Sequence, residues 1–194
     1  MEAGPNVSEE EHHDWYDNEH SPARLTIPSF HTAARFKAAD GKKPTYLTLY
    51  DISSASVADG PEYQAVKANG SERDKRLLET IQFLNRRAYT SIYDKTLSSA
   101  SDADFPAKFV LYAAMEVKPE GEDEFNKWYE EEHIPMLSKI PGWLRSRRYV
   151  LESNLVKGTV EPEVVVGNLK AAISTPWRDE VVKAVLFKEY KRPE

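Results

Sequence analysis

The 194-residue chain contains no cysteine, which excludes disulfides, thiolate metal sites and a cysteine nucleophile together. A reducing compartment such as the cytoplasm is the expected location. Long apolar runs are also missing: nothing approaches the roughly 20 residues of a membrane-spanning helix, and the first 20 residues are polar and acidic without an apolar core. Positive charge is outnumbered, with 26 Lys and Arg against 32 Asp and Glu for a net charge of −6. The arginine-rich stretches are short and offset by acidic neighbours, so neither nucleic acid nor a membrane is an expected partner. Glycine-rich phosphate loops, a Gly-x-Ser-x-Gly elbow and nucleotide fingerprints are absent as well.

What is present is an internal duplication. Trp15-Tyr16-x-x-Glu19-His20-x-Pro22 recurs as Trp128-Tyr129-x-x-Glu132-His133-x-Pro135, an offset of 113. The same offset carries Ile27-Pro28 to Ile140-Pro141 and Arg35 to Arg148, giving eight identities over positions 15–36. Unrelated segments of that length share about one, so two copies of one unit are expected. The units are bounded as 11–96 and 108–194, with 97–107 as a linker.

In the second unit, residues 108–117 alternate as a strand does, and 122–133 place Phe125, Trp128 and Tyr129 on one helical stripe. Pro135 disfavours helical geometry at Ile134, so the helix is expected to stop at about His133. Strands follow at 143–151 and 163–171, then a helix at 176–182 and a strand at 184–190. The order is β-α-β-β-α-β, a ferredoxin-like unit. The first unit repeats the plan from its helix, ending at His20, through strands at 30–37 and 46–52, helical residues between 62 and 83, and a strand at 86–93. Its opening strand is missing, because the equivalent of Lys108 would fall before Met1. Residues 1–10, or a partner chain, are expected to cover the gap, unless the chain is a shortened form of a longer protein.

The motif Trp128-Tyr129-Glu130-Glu131-Glu132-His133-Ile134-Pro135, followed by Ile140-Pro141-Gly142-Trp143 and the arginine-rich strand to Tyr149, resembles the EthD-like domains of the dimeric α/β-barrel superfamily. The match is closest in the second unit; the first has Ser29 for Gly142, and Thr32 and Ala34 for Arg145 and Arg147. The resemblance implies an α+β fold in which two ferredoxin-like repeats pack their antiparallel sheets as a dimeric α/β-barrel. Here the barrel is available within one chain, the first repeat lacking its opening strand, and a homodimer is compatible with it. Superfamily members include cofactor-independent enzymes acting on aromatic or polyketide-type molecules, haem enzymes and proteins without activity, so fold does not settle function.

On a helix Tyr129 neighbours His133, and Glu132 adjoins it; His20 has the same surroundings in the first unit. A histidine in the last helical turn next to a carboxylate is suited to proton transfer near neutral pH. The expected catalytic residues are His133, Glu132 and His20, with Tyr129, Trp143, Arg145 and Arg148 holding the substrate. The extra arginines favour the second unit. The expected function is a cofactor-independent decarboxylase or cyclase of a small aromatic or polyketide-like acid; the alternative is a non-catalytic binding or assembly module of the same superfamily. In that alternative the Trp-Tyr pairs are core, the histidines cap helix ends and the arginines pair with acids. His12, His13, Asp14 and His20 resemble a metal set in composition only. Adjacent side chains diverge by about 100° on a helix, and His12 and His13 have no counterpart in the second unit, so no metal or other cofactor is expected.

Overall fold

The computed structural model describes residues 1–160 and the backbone of 182–191. Ser8 accepts the Glu11 amide at 3.1 Å, and with Glu9, Glu10 and Glu11 in the first turn it starts helix α1 (Glu9–Trp15). The helix does not end at His20. It widens into a π-helical turn, Tyr16–His20, and continues as α2 (Ser21–Leu25). The chain then runs through β1 (Phe30–Ala38), β2 (Tyr46–Ile52), α3 (Pro61–Ala68), α4 (Glu72–Thr80) and β3 (Phe83–Thr96). The second half follows with β4 (Phe109–Val117), α5 (Glu122–Trp128), a π-helical turn Tyr129–His133, α6 (Ile134–Leu137), β5 (Arg145–Gly158) and β6 (Val182–Lys191). The expected strand at 163–171 and the expected helix at 176–182 lie outside the described residues, apart from Val182, which begins β6.

The π turns correct the expectation that proline stops each helix. The residue before proline keeps helical angles, φ −67° and ψ −42° at Ile134 and φ −68° and ψ −44° at Ser21. Each donates its N–H to the carbonyl five residues back, that of Tyr129 or Tyr16. A proline inside an α-helix collides with the carbonyl four residues earlier. One extra residue in the turn moves that carbonyl away, and the helix continues.

The strands form antiparallel sheets within a mixed α+β architecture: four strands in the order β2-β1-β6-β4, and the pair β3-β5. Pairing crosses between the halves in a reciprocal way. β3, the last strand of the first half, pairs with β5 from Phe83↔Gly158 to Thr96↔Arg145. β6 pairs with β4 along its length and meets β1 at Lys37↔Lys191 and Ala38↔Tyr190.

Met1 to Ala3 lie between the starts of β2 and β3. Met1 exchanges backbone hydrogen bonds with Tyr46 at 2.6 and 3.0 Å. Glu2 exchanges them with Phe83 at 2.8 and 3.1 Å, and Ala3 accepts from Gln82 at 3.2 Å. The Glu2 carboxylate is buried and accepts from Thr45 N and Oγ1 at 2.9 and 2.7 Å. Gly4 turns the chain away with φ +81°, and a side chain there would meet Gln82 Cβ at 2.7 Å. The main buried cluster lies beneath this stub: Ala3, Val7, Trp15, Tyr16, Tyr46 and Leu77. No helix among the described residues is long and apolar enough to cross a membrane.

Candidate active site around His20 and Asp74

Helix α4 begins with Ser71, whose hydroxyl accepts the Asp74 amide at 3.0 Å. This cap places Asp74 in the first turn, where the helix dipole favours a carboxylate. Asp74 faces the motif of the first half. Its Oδ1 accepts from Trp15 Nε1 at 2.9 Å and from His20 Nδ1 at 2.7 Å, and its Oδ2 lies 3.7 Å from the Arg24 guanidinium. Trp15, His20, Arg24 and Asp74 are all buried. Gly70 permits this approach, since a methyl group there would sit 2.8 Å from Asp74 Oδ2.

The charge distribution follows from the geometry. Burial lowers the His20 pKa and outweighs the hydrogen bond that His20 donates to Asp74, while the positive charge of Arg24 adds to the lowering. Burial would raise the Asp74 pKa, but the His20 and Trp15 hydrogen bonds and Arg24 more than offset it and hold the carboxylate below its ordinary range. The state these describe is a carboxylate bonded to a neutral imidazole. The shared proton then sits on Nδ1, and Nε2 presents a lone pair with no hydrogen-bond partner among the described residues. The ring is fixed between Trp15 and Tyr16, with centroids at 4.6 and 4.7 Å.

His133 is buried in the matching place, stacked on Trp128 at 4.6 Å and 21° and edge-on to Tyr129 at 5.0 Å. Glu132 is exposed to solvent beside it. Tyr129 lies under Arg148, 4.6 Å from ring centroid to guanidinium, and its hydroxyl is 3.6 Å from Met115 Sδ. Arg148 also bonds Asn126 O at 3.4 Å and pairs with Glu130 at 3.5 Å. Arg145 belongs to the other face of β5 and, with Arg147, binds Asp94 of β3; Arg147 further reaches Asp51 of β2 at 2.8 Å. Trp143 donates to Ser146 at 2.9 Å. The structure therefore brings Tyr129, His133 and Arg148 onto one side of β5, while Arg145 faces the other way.

Arg35 repeats the arrangement of Arg148, lying 4.8 Å over Tyr16 and pairing with Asp17. Tyr, acid and Arg are thus a shared packing unit of both halves. His13 is held by Glu9 and Arg35, and His12 stacks on Tyr46 and meets the His13 ring edge-on at 5.7 Å; neither contacts His20 among the described residues.

Asp74 and Arg24 are the residues that sequence reasoning missed. The Ser71-x-x-Asp74 cap was visible as a local signal. The pairing to His20 spans 54 positions and has no local signature. Comparison of the chain with models of protein families, with curated proteins and with solved structures finds no match.

Proposed function

We propose that the chain is an enzyme that moves a proton on a small aromatic or polyketide-like acid, as a decarboxylase or cyclase does, with His20 as its general acid/base. The observation that carries this reading is the buried Asp74–His20 hydrogen bond at 2.7 Å, which orients the ring and leaves Nε2 as the base. When Nε2 takes a proton from an acidic C–H or O–H of the substrate, the imidazolium is stabilised by Asp74, whose charge Arg24 balances in the resting state. Trp15 and Tyr16 wall the ring and hold its orientation. His133 is the matching residue in the second half, where Tyr129 and Arg148 are engaged in packing.

We further propose that the two halves are EthD-like, ferredoxin-like repeats joined as an intramolecular dimeric α/β-barrel. The reciprocal pairing of β3 with β5 and of β6 with β1 supports it, as does the stub Met1 to Ala3 standing where the opening strand of the first repeat belongs.

The test is deuterium incorporation from D2O at the acidic α-C–H of β-keto acids, followed by NMR. The wild-type protein is expected to accelerate exchange, and His20→Gln to slow it by roughly 10²- to 10⁴-fold without loss of fold. The acid limb of the rate profile should lie below pH 6.5, because the His20 pKa is lowered. Absence of exchange in the wild type, together with a large stability loss in His20→Gln, would instead make the network architectural and favour the binding-module alternative.

A further inference from the structure

Balancing Asp74 accounts for the charge of the buried Arg24 but leaves most of its hydrogen-bond donors unexplained. The residue is only 3% exposed. Its guanidinium makes one hydrogen bond among the described residues, from NH1 to the His20 carbonyl at 3.3 Å. The nearest carboxylate, Asp74, is beyond hydrogen-bond distance at 3.7 Å and already serves Trp15 and His20. Arg86, Arg145 and Arg147, all more exposed, each bond a carboxylate directly. A guanidinium carries five donors, and burying it with most of them unused is unfavourable unless something else fills them.

The repeat shows that this helical element does not itself need the charge. At the offset of 113, Arg24 corresponds to Leu137 and Ser21 to Ile134, so the second half builds the same helical element with apolar residues. Around Arg24 the first half gathers neutral donors and aromatic rings. Ser21, one turn back on α2, is 3.0 Å from the Tyr50 hydroxyl of β2. Tyr63 of α3 lies 5.9 Å from the guanidinium and stacks on Phe30 at 6.0 Å, and Phe30 meets Tyr50 edge-on at 5.7 Å.

We infer that Arg24, Ser21 and Tyr50 form an anion subsite beside His20 that takes the carboxylate of a small aromatic ligand, with Tyr63, stacked on Phe30, beside its ring. A planar guanidinium matches a carboxylate in two-point geometry, and hydroxyl donors complete the set. The inference rests on the reading of His20 as the acid/base for its place in catalysis, but not for its binding.

The experiment is titration with benzoate and with benzamide, its uncharged counterpart, by calorimetry and NMR on the full chain. The wild-type protein is expected to bind benzoate at least tenfold more tightly than benzamide. Arg24→Leu, the residue of the second half, should abolish that preference, Arg24→Lys should keep part of it, and Arg145→Gln and His20→Gln should retain it. If Arg24→Leu does not fold, Ser21→Ala and Tyr50→Phe decide, each expected to weaken benzoate at least threefold. Equal binding of the two probes by the wild type, or a preference indifferent to these substitutions, overturns the subsite. Benzoate preference without catalysed exchange overturns the catalytic reading alone; exchange without the preference overturns the subsite alone.

Discussion

His12 illustrates how burial sets the behaviour of a single residue. It is completely buried, stacks on Tyr46 at 4.1 Å, and leaves Nδ1 without a partner among the described residues. Burial first, and then the positive charge of Arg35, push its pKa down to about 3. In the unfolded chain the same imidazole titrates near 6.5. Between those values the unfolded state binds a proton that the folded state refuses. Stability from this residue is therefore complete above about pH 6.5 and is lost as the pH falls toward 3, at up to about 1.4 kcal/mol per pH unit. His20, also lowered, acts in the same direction. Urea unfolding at pH 7, 6 and 5 should show this decline, and His12→Leu should flatten it while keeping the packing volume nearly constant. An identical slope in the variant would assign the acid sensitivity elsewhere.

At the scale of elements, the duplicated motif encodes a π-helical turn with proline two residues after its histidine. The extra residue rotates everything beyond it by about 100° relative to a continuous α-helix. In the first half that rotation aims His20 at Asp74 while α1 keeps Trp15 on the same carboxylate. Deleting Asn18 should restore plain α-helix and swing His20 off Asp74. The expected signature is loss of the low-field proton resonance of the His20 Nδ1–H, together with loss of catalysed exchange. Deleting Glu131, the equivalent position in the second half, should leave both unchanged. A low-field resonance surviving the Asn18 deletion would show that the turn does not set the dyad.

At the scale of the whole molecule, among the described residues, strands of each half pair with strands of the other. β3 finds its partner in β5, and β1 has β6 at its far edge. Asp94 reinforces the first of these junctions through Arg145 and Arg147, and Arg147 carries the link on to Asp51 of the other sheet. A protease site inserted after Ser99 and then cut should release two fragments that still migrate as one species, separating only in denaturant. The sheet hydrogen bonds between the halves would otherwise be exposed edges. Fragments that separate in native buffer would contradict the shared-sheet arrangement.

Local patterns determined a good part of this protein. The duplication and its offset, the strands Tyr46–Ile52 and Phe109–Val117, and the start of the motif helix at Glu122 follow from residue periodicity and turn chemistry. They are legible because strand alternation and helical stripes act over a few neighbours. The continuation of each helix past its histidine was not, since the rule for residues before proline applies to an α-helix and one added residue evades it. Both histidines sit in the same motif, and the sequence ranks His133 before His20, on the arginines of the second unit and its complete set of strands. Those arginines turned out to serve Tyr129, Asn126, Asp94 and Asp51. Only the tertiary structure brought Asp74 from α4 and Arg24 from α2 to His20, because buried electrostatics depends on which side chains share a volume and not on how far apart they lie along the chain.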